Sequence, residues 1–468
     1  MKQIYFVSRN KKKFSEMKTI LEKDFISIEF YKMEISELQT VDAKQLLMQK
    51  ARKAFQEIRR PVLVEHTALI IKAFNNLPGL QTNYFYSNLG YQEIVNYCEL
   101  KKEYQAIVKS MICICDGKEY LFGEGIEEGS IIDSCVEISE DAGFDWDKIF
   151  IPYENNPEKL TYYALKDKKN ERSMRKKAWD DMKLNHSSQL NKLVTFETYS
   201  DCDKELETLA RLIKEKKVLL FIGAGISASV GLPSWSELIG RLGKEQGYAA
   251  DIFKSYGDYM MLAEYVKNID ENKLYEYIKN IFGINNKVRN ELETSTIYED
   301  LFKMDFPVIY TTNFDHLLEE YYSLKGCKVN SVVKIEDMEN IHDNSIRIMK
   351  FHGDIDERDS IVLAESQYFE RMSYESFMDV QLQADMLKYH ILFLGYSLSD
   401  INVKLLLYLV RKRWNGKTAY IYTATPNEIQ KKVFEKNNIV AFSGGHADKK
   451  TGTQIFLKKL VSVIEQIS

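Results

Sequence analysis

The stretch 218-VLLFIGAGISASVGLPSW-235 decides the fold of the second half of this 468-residue chain. Val218 to Ile222 is an uninterrupted apolar run, short enough for a buried strand and closed by glycine. Gly223-Ala224-Gly225 then turns into Ile226 and Ser227, where a helix begins. Such a turn lets the backbone approach a pyrophosphate while the helix offers its first amides. A strand-to-helix turn with no ligand would use the same glycines, so the motif draws its meaning from the residues that close the later strands.

Further buried-strand candidates stand at Val308 to Thr311, Ile346 to Phe351, Ile391 to Leu394 and Tyr420 to Tyr422, with helical segments between them. This predicts an α/β, Rossmann-like parallel sheet over residues 204–468. From about 236 to 302 no strand pattern appears. Helix formers and Tyr256, Tyr259, Tyr265, Tyr275 and Tyr277 predict a helical insertion that packs its aromatics as core.

Polar motifs close these strands. Gly231-Leu232-Pro233-Ser234-Trp235 follows the glycine turn, and Thr311-Thr312-Asn313-Phe314-Asp315, Phe351-His352-Gly353 and Gly395-Tyr396-Ser397 with Asp400 come later. The carboxyl ends of parallel strands are where such sheets bind ligands. In this order and spacing the motifs resemble those of the sirtuin family, over roughly Leu206 to Phe442. The resemblance implies NAD as substrate, held by Gly223, Ala224, Gly225, Ser227, Pro233, Trp235, Thr312, Asp315, Gly353, Gly395, Tyr396, Ser397 and Asp400. It also implies His352 as base and Asn313 as the group that orients ribose or water. Breaking the nicotinamide–ribose bond develops oxocarbenium character, which calls for a positioned base and polar groups. His316, beside Asp315, reads as structural. Deacylating sirtuins carry two C-x-x-C pairs, whereas Cys327 is the only cysteine in residues 204–468. No zinc or other resident metal is therefore expected there, and the resemblance is nearer to bacterial defence-type sirtuin-like proteins that hydrolyse NAD.

Residues 1–184 read differently. Apolar runs at Ile4 to Val7 and Pro61 to Val64 alternate with helix-like stretches at Lys12 to Glu22 and Ala43 to Ile58. Asp116-Gly117, between Ala106 to Cys115 and Tyr120 to Phe122, signals a hairpin. A mixed-sheet α/β domain is expected, followed by a polar linker at 185–203.

The turn Ser8-Arg9-Asn10-Lys11-Lys12-Lys13, Glu65-His66-Thr67, Gly143-Phe144-Asp145-Trp146-Asp147, Lys169 and Ser173-Met174-Arg175 together resemble the inosine triphosphate pyrophosphatase family. The resemblance implies a purine nucleoside triphosphate such as ITP or dITP. Ser8, Asn10 and Lys13 would meet its phosphates. Glu37, Glu65 and His66 would stand where Mg²⁺ accompanies the nucleotide, and Phe144, Trp146, Asp147, Lys169 and Arg175 would form the base pocket. Three family motifs are altered: E-D-T to Glu65-His66-Thr67, G-F-G to Gly143-Phe144-Asp145, and S-H-R to Ser173-Met174-Arg175. The first removes a carboxylate where a hard cation prefers oxygen. A domain that binds the nucleotide but hydrolyses it slowly or not at all is expected. Two other readings stay open: His66 acting as base beside a metal held by Glu37 and Glu65, or a scaffold that binds nothing.

Lys+Arg 64 against Asp+Glu 69 leaves a net charge of −5, which argues against a nucleic-acid partner. The basic run from Lys166 to Lys177 lacks interleaved aromatics and reads as a solvated helix face that lends Lys169 and Arg175 to the pocket. No apolar run approaches the roughly 18 residues of a membrane helix, and Ile4 to Val7 is too short for a signal peptide, so a cytoplasmic protein without a membrane partner is expected. A nucleotide-reading half joined to an NAD-cleaving half suggests an anti-phage effector in which one ligand biases the other domain. A homo-oligomer, and a further protein that makes the signal, are expected with it. A pyrophosphatase with an accessory domain, or an NAD- or ADP-ribose-binding module without turnover, are the alternatives.

Overall fold

β1 (Lys2–Val7) and β2 (Ile26–Tyr31) run parallel, joined through the helix Lys11–Glu22. β3 (Val62–Ile71) returns beside β1 after the helix Ala43–Ile58. β4 (Leu77–Gly79), β5 (Gln105–Cys115), β6 (Tyr120–Ile131) and β7 (Phe150–Pro152) add antiparallel pairs, in the order β2-β1-β3-β5-β6-β7 with β4 on β3. The computed structural model in which these elements appear describes residues 2–24, 26–133, 145–193, 203–340, 345–371, 376–396, 417–424, 428–443 and 446–467.

The mixed sheet is present, but β6 runs far beyond the expected Tyr120 to Phe122. Several of its inward positions are glycines: Gly123, Gly125 and Gly129 alternate with exposed residues. A Cβ on Gly123 would lie 2.2 Å from the Ala178 carbonyl oxygen, and one on Gly125 1.9 Å from that of Met174. The helix Met174–Lys192 therefore packs on bare backbone. That helix also extends through residues 185–192 with a break at His186, so the polar stretch read as linker begins as helix. The chain divides into two units, Met1–Glu197 and Thr198–Ser468.

In the second unit, seven strands lie parallel: β8 (Val218–Ile222), β9 (Ile309–Thr311), β10 (Val329–Val332), β11 (Ile346–Lys350), β12 (His390–Leu394), β13 (Ala419–Thr423) and β14 (Ile439–Ser443). Their order is β10-β11-β9-β8-β12-β13-β14. After β8 the chain builds β9, the edge strand β10 and then β11 between them on one side, and crosses after β11 to build outward on the other. This reversal makes the carboxyl ends of β8 and β12 the switch point, the place where doubly wound sheets bind ligands. The edge strands β10 and β14 were not expected; β10 buries only Val332, so it carries no apolar run to detect.

Six helices between Trp235 and Met304 form the insertion. Side chains of Ser234, Asp258, Asp270, Asn285 and Ser295 cap five of them, each cap contributing about 1 kcal/mol. Tyr259, Tyr275 and Tyr277 pack against the core. Tyr256 and Tyr265 are exposed, although the Tyr265 ring still lies 6.1 Å from that of the core residue Phe253. The Tyr265 hydroxyl lies 3.0 Å from that of Tyr248, which keeps the polar tips at the surface. Among the described residues no helix is long and apolar enough to cross a membrane.

Candidate functional site

At the switch point the glycine turn leans on the loop after β12. The Gly223 N–H donates to the Leu394 carbonyl at 2.9 Å and the Gly225 N–H to the Gly395 carbonyl at 2.9 Å. A Cβ on Gly223 would stand 2.6 Å from the Gly395 oxygen, and one on Gly225 2.9 Å from it. Gly395, at φ +64°, would itself bring a Cβ within 2.6 Å of the Ile226 nitrogen. Loop-to-loop packing thus demands these glycines before any ligand is considered.

Ser227, in the short helix Ala224–Ala228, organises the residues beside them. Its hydroxyl donates to Asp315 Oδ2 at 2.7 Å and accepts from Asn313 Nδ2 at 2.8 Å. Tyr298, from the insertion, also hydrogen-bonds Ser227. With the single hydroxyl proton committed to Asp315, Asn313 must turn its amide nitrogen toward Ser227. Asn313 Oδ1 is then left buried, without a hydrogen-bond partner among the described residues. A buried acceptor of this kind is costly until a ligand or water supplies a donor. Burial pushes the Asp315 carboxyl up, against the pull of Lys350 and Ser227.

His352, just beyond β11, is buried and meets the Tyr368 ring nearly edge-on at 5.4 Å. Gly353 has φ +90°, and a Cβ there would fall 2.2 Å from the Ser360 carbonyl oxygen. The Thr312 N–H donates to the Ile222 carbonyl at 3.2 Å. Tyr396 lies 5.5 Å from the Phe221 ring. Pro233 is buried, while Trp235 packs toward Tyr259 of the insertion at 6.3 Å. Ser397 and Asp400 lie outside the described residues. The structure gathers Gly223, Ala224, Gly225, Ser227, Thr312, Asn313, Asp315, Gly395 and Tyr396 around the switch point, with His352 at the same end of the sheet. Tyr298 joins them without any local sequence signal. His316 Nε2 lies 2.7 Å from Asp354 Oδ1, and the hydrogen bond to Asp354 holds the imidazole above its ordinary pKa despite partial burial.

In the first unit, β3 delivers Glu65, His66 and Thr67, and strand alternation sends Glu65 and Thr67 to one face and His66 to the other. Glu65 Oε2 is 2.7 Å from Lys13 Nζ, and Oε1 is 3.3 Å from Arg175 Nε. Ser110 Oγ donates to the same oxygen at 3.2 Å, and Thr67 accepts from Arg175 Nη2 at 3.1 Å. Arg175 also reaches Glu16 at 2.5 Å, while Lys169 bridges Glu16 at 3.0 Å and Asp147 at 2.5 Å. Three cations and three carboxylates thus balance in one largely buried network. Burial opposes ionisation of Glu65, yet Lys13 and Arg175 override it and hold the carboxyl well below its usual range. At Asp147 burial prevails over Lys169, and the carboxyl is pushed up.

The structure therefore brings Lys13, Glu65, Asp147, Lys169 and Arg175 together in one ion-pair network. Glu16, Thr67 and Ser110 join them unannounced, although Glu16 stands one helical turn after Lys13 and Thr67 two strand positions after Glu65. Ser8 and Asn10 serve the helix entrance: Ser8 Oγ accepts from the Asn10 N–H at 3.0 Å, and Asn10 Oδ1 accepts from Lys12 at 2.9 Å and Lys13 at 3.2 Å. Phe144 lies outside the described residues. Trp146 is buried among Phe150 and Tyr162, each with ring centroids 6.1 Å away. It is core in this state, so Trp146→Ala should cost about 3–5 kcal/mol of stability, seen as a lower melting temperature with or without nucleotide.

On the other face, His66 Nδ1 is 3.6 Å from Glu37 Oε1, and Nε2 is 2.8 Å from the Leu80 carbonyl. Lys50 Nζ lies 2.8 Å from the same Glu37 oxygen. Burial opposes ionisation of Glu37, but His66 and Lys50 bring its carboxyl down to about 2. Mg²⁺ needs free oxygen donors. Here both carboxylates already face cations and the third position offers nitrogen, so these residues do not fit a protein-held Mg²⁺. A depressed carboxylate stabilises the fold above its ordinary value of 4.5, and this contribution is lost as pH falls toward about 2. Glu37→Gln should accordingly flatten the decline of melting temperature across that acid range.

Two family models match the chain: that of the Ham1 family over residues 4–184, and that of the SIR2-like domain over residues 307–442, beginning after the glycine turn. The inosine triphosphate pyrophosphatase of Candida glabrata is 34% identical over 189 residues, covering 39% of this chain and 95% of that protein. The dITP/XTP pyrophosphatase of Saccharolobus solfataricus is 31% identical over 178 residues, 38% of this chain and 90% of that one. The NAD(+) hydrolase ThsA of Enterococcus faecium is 32% identical over 214 residues, 44% of this chain but 42% of that protein, so less than half of its length is spanned. Through its first unit the chain belongs to the Ham1 family, and it carries a SIR2-like domain in the same polypeptide.

Proposed function

We propose that this chain is an NAD-hydrolysing defence effector, switched on by a non-canonical purine triphosphate such as ITP or dITP. The observation that carries the NAD reading is Asn313, whose buried Oδ1 has no hydrogen-bond partner among the described residues. A ribose hydroxyl or the attacking water would supply it. Water adds to the ribose carbon as the bond to nicotinamide breaks, nicotinamide leaves, and His352 accepts the proton that water loses. Products are nicotinamide and ADP-ribose. The name of the ThsA relative supports this reaction, and those of the Ham1 relatives support the nucleotide class.

The nucleotide acts through charge. A triphosphate competes with Glu65 and Glu16 for Lys13, Lys169 and Arg175, so bound and free states differ in their ion pairs, which is what a switch requires. His66 in place of the family's carboxylate slows hydrolysis and preserves the signal. The reading includes a cytoplasmic homo-oligomer and a separate protein that makes the nucleotide. A second reading, an active pyrophosphatase, is favoured by the near-complete coverage of pyrophosphatase relatives.

The test is NAD consumption by the full chain with ITP, dITP, ATP, dATP or no nucleotide, with pyrophosphate followed in parallel. NAD loss that depends on an inosine nucleotide, with little pyrophosphate, supports the proposal. Rapid pyrophosphate release with NAD untouched assigns the catalysis to the other half, and stable NAD binding without turnover reduces the second domain to a binding module.

A further inference from the structure

Lys350, the last residue of β11, has no exposed side-chain surface and belongs to none of the sequence motifs. A buried ammonium persists only when well paired, and this one is. Its Nζ donates to the Asp315 carbonyl at 2.5 Å and to the Phe314 carbonyl at 3.5 Å. It stands 3.3 Å from Glu319 Oε1 and 3.4 Å from Asp354 Oδ2. These partners come from separate pieces of chain: the turn carrying Asn313, the helix Leu317–Leu324, and the loop after His352. Asp354 is held in turn by His316 at 2.7 Å and by the Asp356 N–H at 2.9 Å. One ammonium therefore ties the Asn313 turn to the His352 loop.

We propose that Lys350 is a positioning residue that sets the spacing between Asn313 and His352, and through it the rate at which bound NAD reacts. The proposal rests on the NAD-cleavage reading. An apolar residue could fill this site at equal stability only if the carboxylates of Glu319 and Asp354 were replaced with it; what singles out lysine is that its ammonium converges on two backbone carbonyls and two carboxylates from one point. Arginine keeps the charge but spreads its donors over a rigid plane, and is not equivalent there.

The test compares wild type, Lys350→Arg, Lys350→Met and Asp354→Asn in the full chain under activating nucleotide, reading kcat and KM for NAD together with melting temperature. Displacement of about 1 Å at a reacting centre costs on the order of a hundredfold. Lys350→Arg should keep its melting temperature and a KM within about threefold of wild type, yet lose roughly 10- to 100-fold in kcat. Asp354→Asn, which keeps its shape, should lose kcat in the same direction. Wild-type kcat in a folded Lys350→Arg or Asp354→Asn overturns the proposal, as does a fall explained wholly by loss of folded protein. A wild-type chain that never turns over NAD instead overturns the NAD reading, and this role with it.

Discussion

Single substitutions His352→Ala and Asn313→Ala should each lower NAD loss at least a hundredfold under saturating inosine nucleotide. General acid–base groups contribute about 10²–10⁴-fold, and correct orientation of the reacting groups contributes on a similar or larger scale. His352 is buried against Tyr368 at the end of β11. Under the proposed reaction, removing its ring would deprive water of a proton acceptor while leaving the sheet intact. Asn313→Ala removes the Oδ1 acceptor, while Ser227 still donates to Asp315 at 2.7 Å, so the turn keeps its anchor. Melting temperature and ITP affinity, measured alongside nicotinamide release, separate loss of chemistry from loss of fold. A variant that melts normally and releases nicotinamide at the wild-type rate would remove that residue from the mechanism.

His66→Asp should restore pyrophosphate release from ITP, raising it by on the order of a hundredfold, the scale on which groups supporting a metal act. The substitution returns an oxygen donor beside Glu37, replacing an imidazole that lies 3.6 Å from that carboxylate, and hard oxygen donors are what Mg²⁺ requires. NAD loss should then become transient, ending as ITP is consumed. Pyrophosphate release that stays at the wild-type level, with ITP still bound, would show that His66 does not limit hydrolysis.

Much of the site was legible because its parts are local. Asn313 and His352 sit where a buried apolar run ends in polar residues, and Lys13, Glu65, Asp147, Lys169 and Arg175 fall within or beside short polar motifs. Glu16, Tyr298 and Lys350 were not legible. Their partners are remote in the chain, and nothing in the spacing announces which strand lies beside which. Strand β6 was hidden for the opposite reason: glycines at several inward positions break its apolar period, and the helix Met174–Lys192 pressing on Gly123 and Gly125, with Phe150 and Ile151 of β7 against Gly129, explains why.

The sequence by itself determined the two α/β units, the hairpin at Asp116-Gly117, the strand Val218–Ile222 with its glycine turn, and the polar residues that close the strands, since periodicity and turn residues act over a few positions. Tertiary structure alone decided that β8 and β12 are neighbours, that Gly223 and Gly225 are required by the loop at Gly395, and that Glu65 faces Lys13 and Arg175 while His66 faces Glu37. The reason is physical: strand order and side-chain pairing are settled by long-range packing, in which a buried charge accepts only the geometry that pairs it.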